Sequence, residues 1–325
     1  MDASPFFRYD FQICEVKSMQ SKEKEAGPEP IEVAVRSWLA GIRVSAATKE
    51  TYARAIKPFA GFLEAGGIGL EDARRRDVER YVDGLMEDGL EPATAALYLA
   101  AVKSLYSFLS ELGCRNPAAG VRGPKMSRMF KRDSLTRDQV SELLSSMRRE
   151  TPIQKRNFAM VNLMVRTGLR DVEVVRADIR DIRTRMGADV LYVQGKGRPG
   201  KDSFVVLTPA AMGPISEYLV TRSCARPGDP LFASRRADCG GRMSTRTVSR
   251  VAKDSMRRVG IDDRWHTAHS LRHTAVTLAL LGGAGERDAQ MMARHADVST
   301  TMIYAHDIDR IANAAEKSVD AYLSQ

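Results

Sequence analysis

Apolar residues recur at three- and four-residue intervals through the first third of the chain, and this spacing constrains the fold most strongly. The pattern runs from Ile31 to Leu112 in four stripes, and three of the stripes end near a glycine. Residues at such intervals share one face of a helix, and glycine is typical of helix ends. The sequence therefore predicts a compact unit of four helices with aromatic side chains in its core.

The stretch from Asn116 to Asp133 interrupts this pattern and is predicted to be a linker. Its prolines and glycines argue against a regular element, and its cations include the candidate DNA contacts Lys125, Arg128 and Lys131. A basic, extended connection suits a chain lying along a phosphate backbone, and a solvated tether is the plain alternative. The predicted organisation is a flexible N-terminal tail over 1–28, a helical DNA-binding domain over 29–115, a basic linker over 116–133 and a second domain over 134–325.

The second domain is predicted to combine helices with a small antiparallel β-sheet. Thr136 and Gln139 form a capping box that opens a helix. After Asp178 the apolar period shortens to that of strands. The predicted strands cover 179–183, 189–194 and 203–207, and further helices cover 157–166, 244–259, 268–281 and 311–323. The fold class is thus mainly α with a small antiparallel sheet.

Charge and composition favour a polyanionic partner. The formal net charge is +9, and nucleic acid is the default partner of so basic a protein; a basic protein with no special partner is the alternative. The sequence shows no apolar run of membrane-spanning length and no signal-type segment, so no membrane partner is expected. The four cysteines are dispersed, which indicates reduced thiols in a cytoplasmic protein.

Histidine is scarce, and four of the five histidines lie between His269 and His306. His269 and His273 are four residues apart, a spacing that also suits two zinc ligands on a helix. The metalloprotease pattern, however, requires a glutamate where this chain has Ser270. A metal site with His295 as the third ligand stays an alternative, and no metal is predicted.

Two arginines, a tyrosine and two histidines fit the chemistry of a phosphodiester under attack. Arg170 and Arg272 are far apart in sequence, and guanidinium groups converging from separate elements would grip phosphate oxygens as negative charge accumulates. Tyr304 offers a hydroxyl nucleophile. His269 and His295 offer a base and a hydrogen-bond donor.

Lys196 offers a general acid for the departing oxygen, because it occupies a Gly-Lys-Gly turn between two predicted strands. Taken singly, each of these residues has an ordinary structural explanation. An arginine is often a surface cation, a lysine in such a turn is often an exposed hairpin residue, and a tyrosine is often a half-buried aromatic. The specific signal is the order of the whole set.

That ordered set resembles the catalytic signature of the tyrosine recombinase, or phage integrase, family. It consists of Thr167-Gly168-Leu169-Arg170 with Glu173, then Lys196 in a β-turn, His269-x-x-Arg272-His273, His295 and Tyr304. The resemblance covers residues 133–325 and implies that the preceding four helices are a core-binding, SAM-like domain. The layout is closest to the simple Xer-like and Cre-like two-domain members. The family usually has Leu-Gly-His at the second histidine, where this chain has Ala293-Arg294-His295.

The resemblance implies a site-specific recombinase or integrase that cleaves and rejoins duplex DNA through a 3′-phosphotyrosyl intermediate. In the family the tyrosine attacks, the two arginines hold the phosphate oxygens, and the lysine protonates the leaving 5′-oxygen. The first histidine manages the tyrosine proton and the second supports the phosphate. No metal or nucleotide cofactor is implied. The implied catalytic residues are Arg170, Lys196, His269, Arg272, His295 and Tyr304, with Glu173 and His273 in support.

The implied partners are double-stranded DNA with an inverted-repeat-type site and further copies of the chain in a tetramer on two duplexes, in the cytoplasm with the nucleoid. Accessory DNA-bending or directionality proteins are left open. Arg246 and Arg250 lie on a basic helix that resembles the major-groove helix of Cre, and DNA contacts are expected there. The terminal helix is expected either to dock on a neighbouring subunit or to pack on its own domain. Two alternatives stay open, a type IB topoisomerase and a DNA-binding regulator with idle catalytic residues.

Overall fold

The structure is a computed structural model that describes residues 31–125, 134–195, 198–234, 241–295, 302, 310 and 313–324. Contacts between residues divide the chain into two compact units at residue 127. Each unit has its own hydrophobic core, and the two are described separately.

The first unit contains the four predicted helices. They are α1 (Ile31–Gly41), α2 (Ala46–Ala65), α3 (Arg75–Glu87) and α4 (Pro92–Glu111). The aromatic side chains meet in the core, where the ring of Phe59 lies 5.0 Å from that of Tyr81. The buried hydroxyl of Tyr106 donates to the carbonyl of Leu70 at 3.0 Å. Ala118 and Val121, at the beginning of the predicted linker, are buried in the same core.

Among the described helices, α4 alone is long and apolar enough to cross a membrane by length and composition. The prediction that the chain has no apolar run of that length is therefore wrong. Leu99, Val102 and Leu105 of α4 are buried inside the first unit, whereas Leu97 is 37% exposed. That burial is typical of a core helix in a globular domain.

The second unit is built around α6 (Pro152–Thr167), which packs against four other helices of this unit. Every residue from Phe158 to Val165 in α6 is buried, so this part of the helix is surrounded by the core on all faces. The remaining helices described here are α5 (Arg137–Ser146), α7 (Asp171–Arg176), α8 (Pro209–Leu219), α9 (Thr245–Arg257), α10 (Ala268–Leu281), α11 (Glu286–Ala293) and α12 (Ala315–Leu323). Of these, α5, α8, α9 and α10 pack against α6.

The second unit also contains a three-stranded antiparallel sheet in the order β1-β2-β3. The strands are β1 (Ile182–Arg185), β2 (Ala188–Val193) and β3 (Ser203–Val206). Met186 and Gly187 join β1 to β2 with positive φ at both positions, as a two-residue hairpin of this twist requires. The predicted fold class is confirmed, although β1 begins three residues later than expected because Ile179–Asp181 forms a 3-10 turn.

The cysteines do not all follow the sequence-based expectation. Cys224 is disulfide-bonded, so the prediction of four reduced thiols is wrong for this residue. Cys114 is a free thiol. Cys14 and Cys239 lie outside the described residues.

Candidate active site

The junction between α6 and α7 places Arg170. Gly168 ends α6 in the left-handed conformation, with φ of 63°, and its amide donates to the carbonyl of Met164. Arg170 then precedes α7, and its backbone N–H donates to Oε2 of Glu173 at 2.8 Å. Its Nη1 donates to Oε1 of the same carboxylate at 2.9 Å. Glu173 is fully buried whereas the Arg170 side chain is 26% exposed, so a buried carboxylate holds a guanidinium that still faces outward.

Arg272 reaches the same place from α10. It is 2% exposed, and its Nη1 donates to the carbonyl of Gly168 at 2.6 Å. Its Nη2 donates to the carbonyl of Ala293. Burial, together with the positive charges of Arg170 and Arg294, lowers the pKa of Arg272 to about 9. The guanidinium therefore stays protonated at neutral pH while it lies close to other arginines.

His295 follows α11 and lies close to Arg170 and Arg272. Its backbone N–H donates to the carbonyl of Gln290 at 3.2 Å, and Nε2 of Gln290 donates back to the carbonyl of His295 at 3.3 Å. Burial and then the charges of Arg272 and Arg170 lower the pKa of His295 to about 4. The imidazole is therefore neutral at pH 7, in which form one ring nitrogen is a donor and the other an acceptor.

His269 lies at the exposed edge of this cluster, one turn before the buried His273. The two rings meet edge to face with centroids 4.6 Å apart. His269 also contributes to the lowered pKa of His295, which places the two histidines in electrostatic contact. Among the residues that the structure describes, no group of three His, Cys, Asp or Glu side chains is arranged to hold a metal ion.

Lys196 and Tyr304, predicted as general acid and nucleophile, lie outside the described residues, as do Arg128 and Lys131. The base of the hairpin that carries Lys196 is described. There Lys201 pairs with Asp178 at 2.7 Å and also with Asp181. Sequence reasoning missed this ion pair, which fixes the start of β3 to the turn that precedes β1.

The predicted DNA contacts of the second unit lie on the exposed side of α9. Arg246 and Arg250 are exposed, whereas Val248 and Ala252 on the opposite face are buried. This helix packs beside α7, and the hydroxyl of Ser249 contacts the carboxylate of Asp171 at 3.3 Å. The two arginines thus sit on a helix that adjoins the arginine cluster. In the first unit, Lys125 is exposed.

A third arginine, Arg294, joins the cluster and was not among the predicted site residues. Its Nη2 donates to Oε2 of Glu173 at 2.8 Å and lies 3.4 Å from the carbonyl of Gly168. Burial alone would raise the pKa of Glu173, but the charges and hydrogen bonds of Arg294 and Arg170 lower it below its ordinary value. The only sequence signal for Arg294 was its departure from the usual Leu-Gly-His.

Family models match most of the chain. The model of the Phage integrase family matches residues 133–310, and that of the Phage integrase N-terminal SAM-like domain matches residues 37–113. The tyrosine recombinase XerD of Caulobacter vibrioides is 33% identical over 80% of this chain and 85% of its own length. The tyrosine recombinase XerC of Pelobacter propionicus is 32% identical over 83% of this chain and 88% of its own length.

Solved structures share the fold at lower sequence identity. The XerH site-specific recombinase in a post-cleavage complex with its difH substrate superposes with a TM-score of 0.70 at 20% identity, covering 88% of this chain and 84% of that chain. A lambda integrase tetramer bound to a Holliday junction superposes with a TM-score of 0.67 at 18% identity, covering 84% of this chain and 76% of that chain.

Proposed function

Because the chain belongs to the phage integrase family of tyrosine recombinases, we propose that Arg170, Arg272 and His295 bind the scissile phosphate of its DNA site and that Tyr304 cleaves the strand there. The family model covers more than half of the chain, and relatives above 30% identity cover four fifths of it. The activity is therefore site-specific recombination, a breaking and rejoining of DNA. The proposal assigns phosphate binding and strand cleavage to individual residues of this chain.

The observation that carries the proposal is the convergence of guanidinium groups from separate elements around one buried carboxylate. Arg170 comes from the start of α7 and Arg272 from α10, and both are held by hydrogen bonds to Glu173 or to backbone carbonyls. A phosphodiester carries one negative charge, and a second develops as the nucleophile adds. Preorganised donors in a partly buried site stabilise that second charge without reorganising.

In the proposed cleavage step, the hydroxyl oxygen of Tyr304 forms a bond to phosphorus while the bond from phosphorus to the 5′-oxygen breaks. His269 accepts the tyrosine proton, and Lys196 donates a proton to the leaving 5′-oxygen. The neutral imidazole of His295 donates a hydrogen bond to a phosphate oxygen. The products are a 3′-phosphotyrosyl link and a free 5′-hydroxyl, so bonds, protons and charge balance without a further reactant.

Rejoining is the reverse step with a different 5′-hydroxyl as nucleophile. The 5′-hydroxyl of the partner strand attacks the phosphotyrosyl link, and Tyr304 leaves and regains its proton. One phosphodiester is exchanged for another, so the step requires no ATP. Strand exchange between two duplexes follows when the attacking hydroxyl comes from the second DNA site.

The proposed partners are duplex DNA and further copies of the chain, in the cytoplasm where chromosomal DNA lies. The lambda integrase neighbour is a tetramer on a Holliday junction. In this chain α12 supplies a face for such assembly, because none of its residues is buried in the second unit. Val319 is 56% exposed and Leu323 is 76% exposed, and exposed apolar side chains of this kind are typical of interaction sites.

Covalent trapping tests the nucleophile. The protein is incubated with a duplex library drawn from its own genomic neighbourhood, denatured, and analysed for protein attached to DNA. We expect adducts with the wild type and none with Tyr304→Phe. The matched control is Tyr52→Phe, because the ring of Tyr52 stacks on that of Trp38 in the first unit and phenylalanine keeps this ring, so adduct formation should be unchanged. Adducts that persist in Tyr304→Phe would assign the nucleophile to another residue.

A bridging phosphorothiolate at the cleavage site tests Lys196 separately. A thiolate leaves without being protonated, because a thiol has a far lower pKa than an alcohol. Lys196→Ala should therefore be slow on the ordinary phosphodiester and close to wild type on the phosphorothiolate. Equal defects on both substrates would exclude Lys196 as the general acid.

Dependence on a DNA site separates recombination from relaxation. A type IB topoisomerase would remove supercoils from any plasmid, whereas a recombinase requires its site. Sequencing the DNA attached to trapped protein should therefore return one recurrent sequence. A regulator with idle catalytic residues would bind DNA and form no adduct at all.

A further inference from the structure

We propose that Arg294 is a positioning residue that fixes His295 and Arg170 against the scissile phosphate and supplies the third positive charge of the site. This inference rests on the proposed function, since it assigns a role within the same cluster. Arg294 occupies the position where the family usually has glycine, so the role would belong to this chain and to relatives that share the arginine.

The side chain of Arg294 connects three segments of the second unit. Its Nη2 reaches Glu173 of α7 at 2.8 Å and the carbonyl of Gly168 after α6 at 3.4 Å, and its Nη1 donates to the carbonyl of Met292 at 2.5 Å. Arg272 shares the Gly168 carbonyl, with its Nη1 at 2.6 Å. The turn that presents His295 is thereby tied to the segment that carries Arg170, and the shared carbonyl of Gly168 connects it to Arg272.

The backbone conformation of Arg294 is unfavourable for an arginine, which supports a role for its side chain. Its φ is 55°, in the left-handed region that residues other than glycine rarely adopt. Glycine would adopt this conformation without strain. An arginine at this φ carries a steric cost that glycine does not, and the bonds to Glu173 and Gly168 are the compensating interaction.

The carboxylate of Glu173 is divided between two arginines. Arg170 donates to Oε1 with Nη1 and to Oε2 with its backbone N–H, and Arg294 donates to Oε2 from the other side. Without Arg294 the single negative charge of Glu173 would be directed at Arg170 alone. With Arg294 present, the cluster holds three guanidinium groups and one carboxylate, so more of the positive potential of Arg170 stays available to a phosphate.

Arg294 also has one N–H group, at Nε, that makes no hydrogen bond within the described residues. Its side chain is 10% exposed, and Nε itself is buried. Buried polar atoms normally have partners. An unsatisfied N–H beside two other arginines is therefore consistent with a site arranged for an anion.

The groups that face His295 come from every neighbouring element. They are Arg170 before α7, Arg272 and His269 on α10, and Arg294 beside it in sequence, all of which oppose a positive charge on its imidazole. Glu173 is the acidic group of the same cluster. Replacing Arg294 with a neutral residue removes one opposing charge and frees Glu173 to favour protonation, so the imidazole of His295 should become more basic.

Three variants and one control test this role in the full-length protein. Arg294→Gln removes the charge, Arg294→Lys keeps it without the planar fork that binds two acceptors, and Arg294→Gly restores the family residue. Arg287→Gln is the control, because Arg287 is an exposed arginine on α11. The measurements are single-turnover adduct formation on a phosphorothiolate duplex and the NMR titration of His295.

We expect Arg294→Gln and Arg294→Gly to form adducts at least tenfold more slowly than wild type, with Arg294→Lys between them and wild type and Arg287→Gln unchanged. We expect the midpoint of the His295 titration to move upward in Arg294→Gln and less in Arg294→Lys. Wild-type rates in Arg294→Gly and Arg294→Gln, or an unmoved His295 titration, would overturn the proposal. The titration needs no cleavage, so it distinguishes failure of this role from failure of Tyr304 as nucleophile.

Discussion

Replacing Glu173 by glutamine should cost the second unit a large fraction of its stability. The Glu173 side chain is fully buried and accepts hydrogen bonds from Arg170 and Arg294. Glutamine keeps the shape but removes the charge, and its NH₂ group faces N–H donors where an accepting oxygen stood. Breaking a buried ion pair by removing one partner costs about 3–5 kcal/mol, because the other charge is left uncompensated.

The contribution of Glu173 to the free energy of unfolding should fall as the pH is lowered. The pKa of Glu173 in the folded protein lies below its ordinary value of 4.5, so its contribution is fully present above pH 4.5. It is lost as the pH falls through the folded pKa, because protonation then removes the charge that the arginines require. The difference between wild type and Glu173→Gln should therefore be constant from pH 6 to 8 and should shrink in acid.

Urea denaturation, monitored by tryptophan fluorescence, measures the loss of unfolding free energy in Glu173→Gln. Trp265 reports on the second unit and Trp38 on the first, since these are the two tryptophans of the chain. The matched control is Asp262→Asn, which removes an exposed carboxylate 2.7 Å from Nε of Arg257 and should have only a small effect. A loss in Glu173→Gln below about 1 kcal/mol, the range of an exposed ion pair, would refute the role of Glu173 as a buried counter-ion.

Three further outcomes are expected. The imidazole of His295 should stay neutral in an NMR titration from pH 5 to 8, because its pKa is about 4; a midpoint near 6.5 would contradict the burial described here. Lys201→Met should lower the free energy of unfolding by about 2 kcal/mol, since the buried Asp181 would lose Lys201 while Asp178 would keep Arg242; an unchanged denaturation midpoint would speak against it. Deleting residues 314–325 should leave stability unchanged within roughly 0.5 kcal/mol and weaken tetramer assembly on DNA, as gel filtration of the complex would show; intact tetramers would exclude docking through α12.

The helices of the first unit were predictable because local and tertiary preferences agree there. Val78, Tyr81, Val82 and Leu85 repeat at helical spacing and are all buried in α3. A sequence pattern of this kind is informative whenever one face of a helix packs on a core. Only the ends were inexact, as at Leu112, which was expected to face inward and is 67% exposed just after α4.

Helix α8 was missed because its sequence argues against a helix. Pro214 lies inside it, and a proline removes a backbone N–H that would bond four residues back. The carbonyl that loses this partner is that of Ala210, and Nδ2 of Asn162 on α6 donates to it at 2.8 Å. A side chain far away in sequence thus compensates for the local defect, which no window of neighbouring residues could reveal.

Helices α7 and α11 were missed for a different reason. They are six and eight residues long, too short to display an apolar stripe. Helix α11 buries only the small side chains of Ala289 and Ala293. Short helices depend on tertiary packing for their stability, so the chain around them determines the structure more than their own residues do.

The order of the candidate site residues was legible in the sequence, but their connections were not. Arg294 and Glu173 are separated by 121 residues, and Lys201 and Asp178 by 23. Ion pairs over such separations leave no local pattern, because either partner alone looks like an ordinary charged residue. The family resemblance identified the candidate site residues. That Glu173 binds both Arg170 and Arg294 is visible only in the structure.

The charge of the cluster explains why stability and function oppose each other at this site. Burial lowers the pKa of Arg272 to about 9 and that of His295 to about 4, and both shifts mean that the free protein disfavours further positive charge there. A bound phosphate reverses the sign of that interaction, because its negative charge compensates the arginines that Glu173 leaves uncompensated. DNA should therefore stabilise the second unit beyond what its contact area alone would provide, as any ligand that binds only the folded state does. The same buried arginines that cost the free protein stability thus provide the preorganised charge for the pentavalent phosphate.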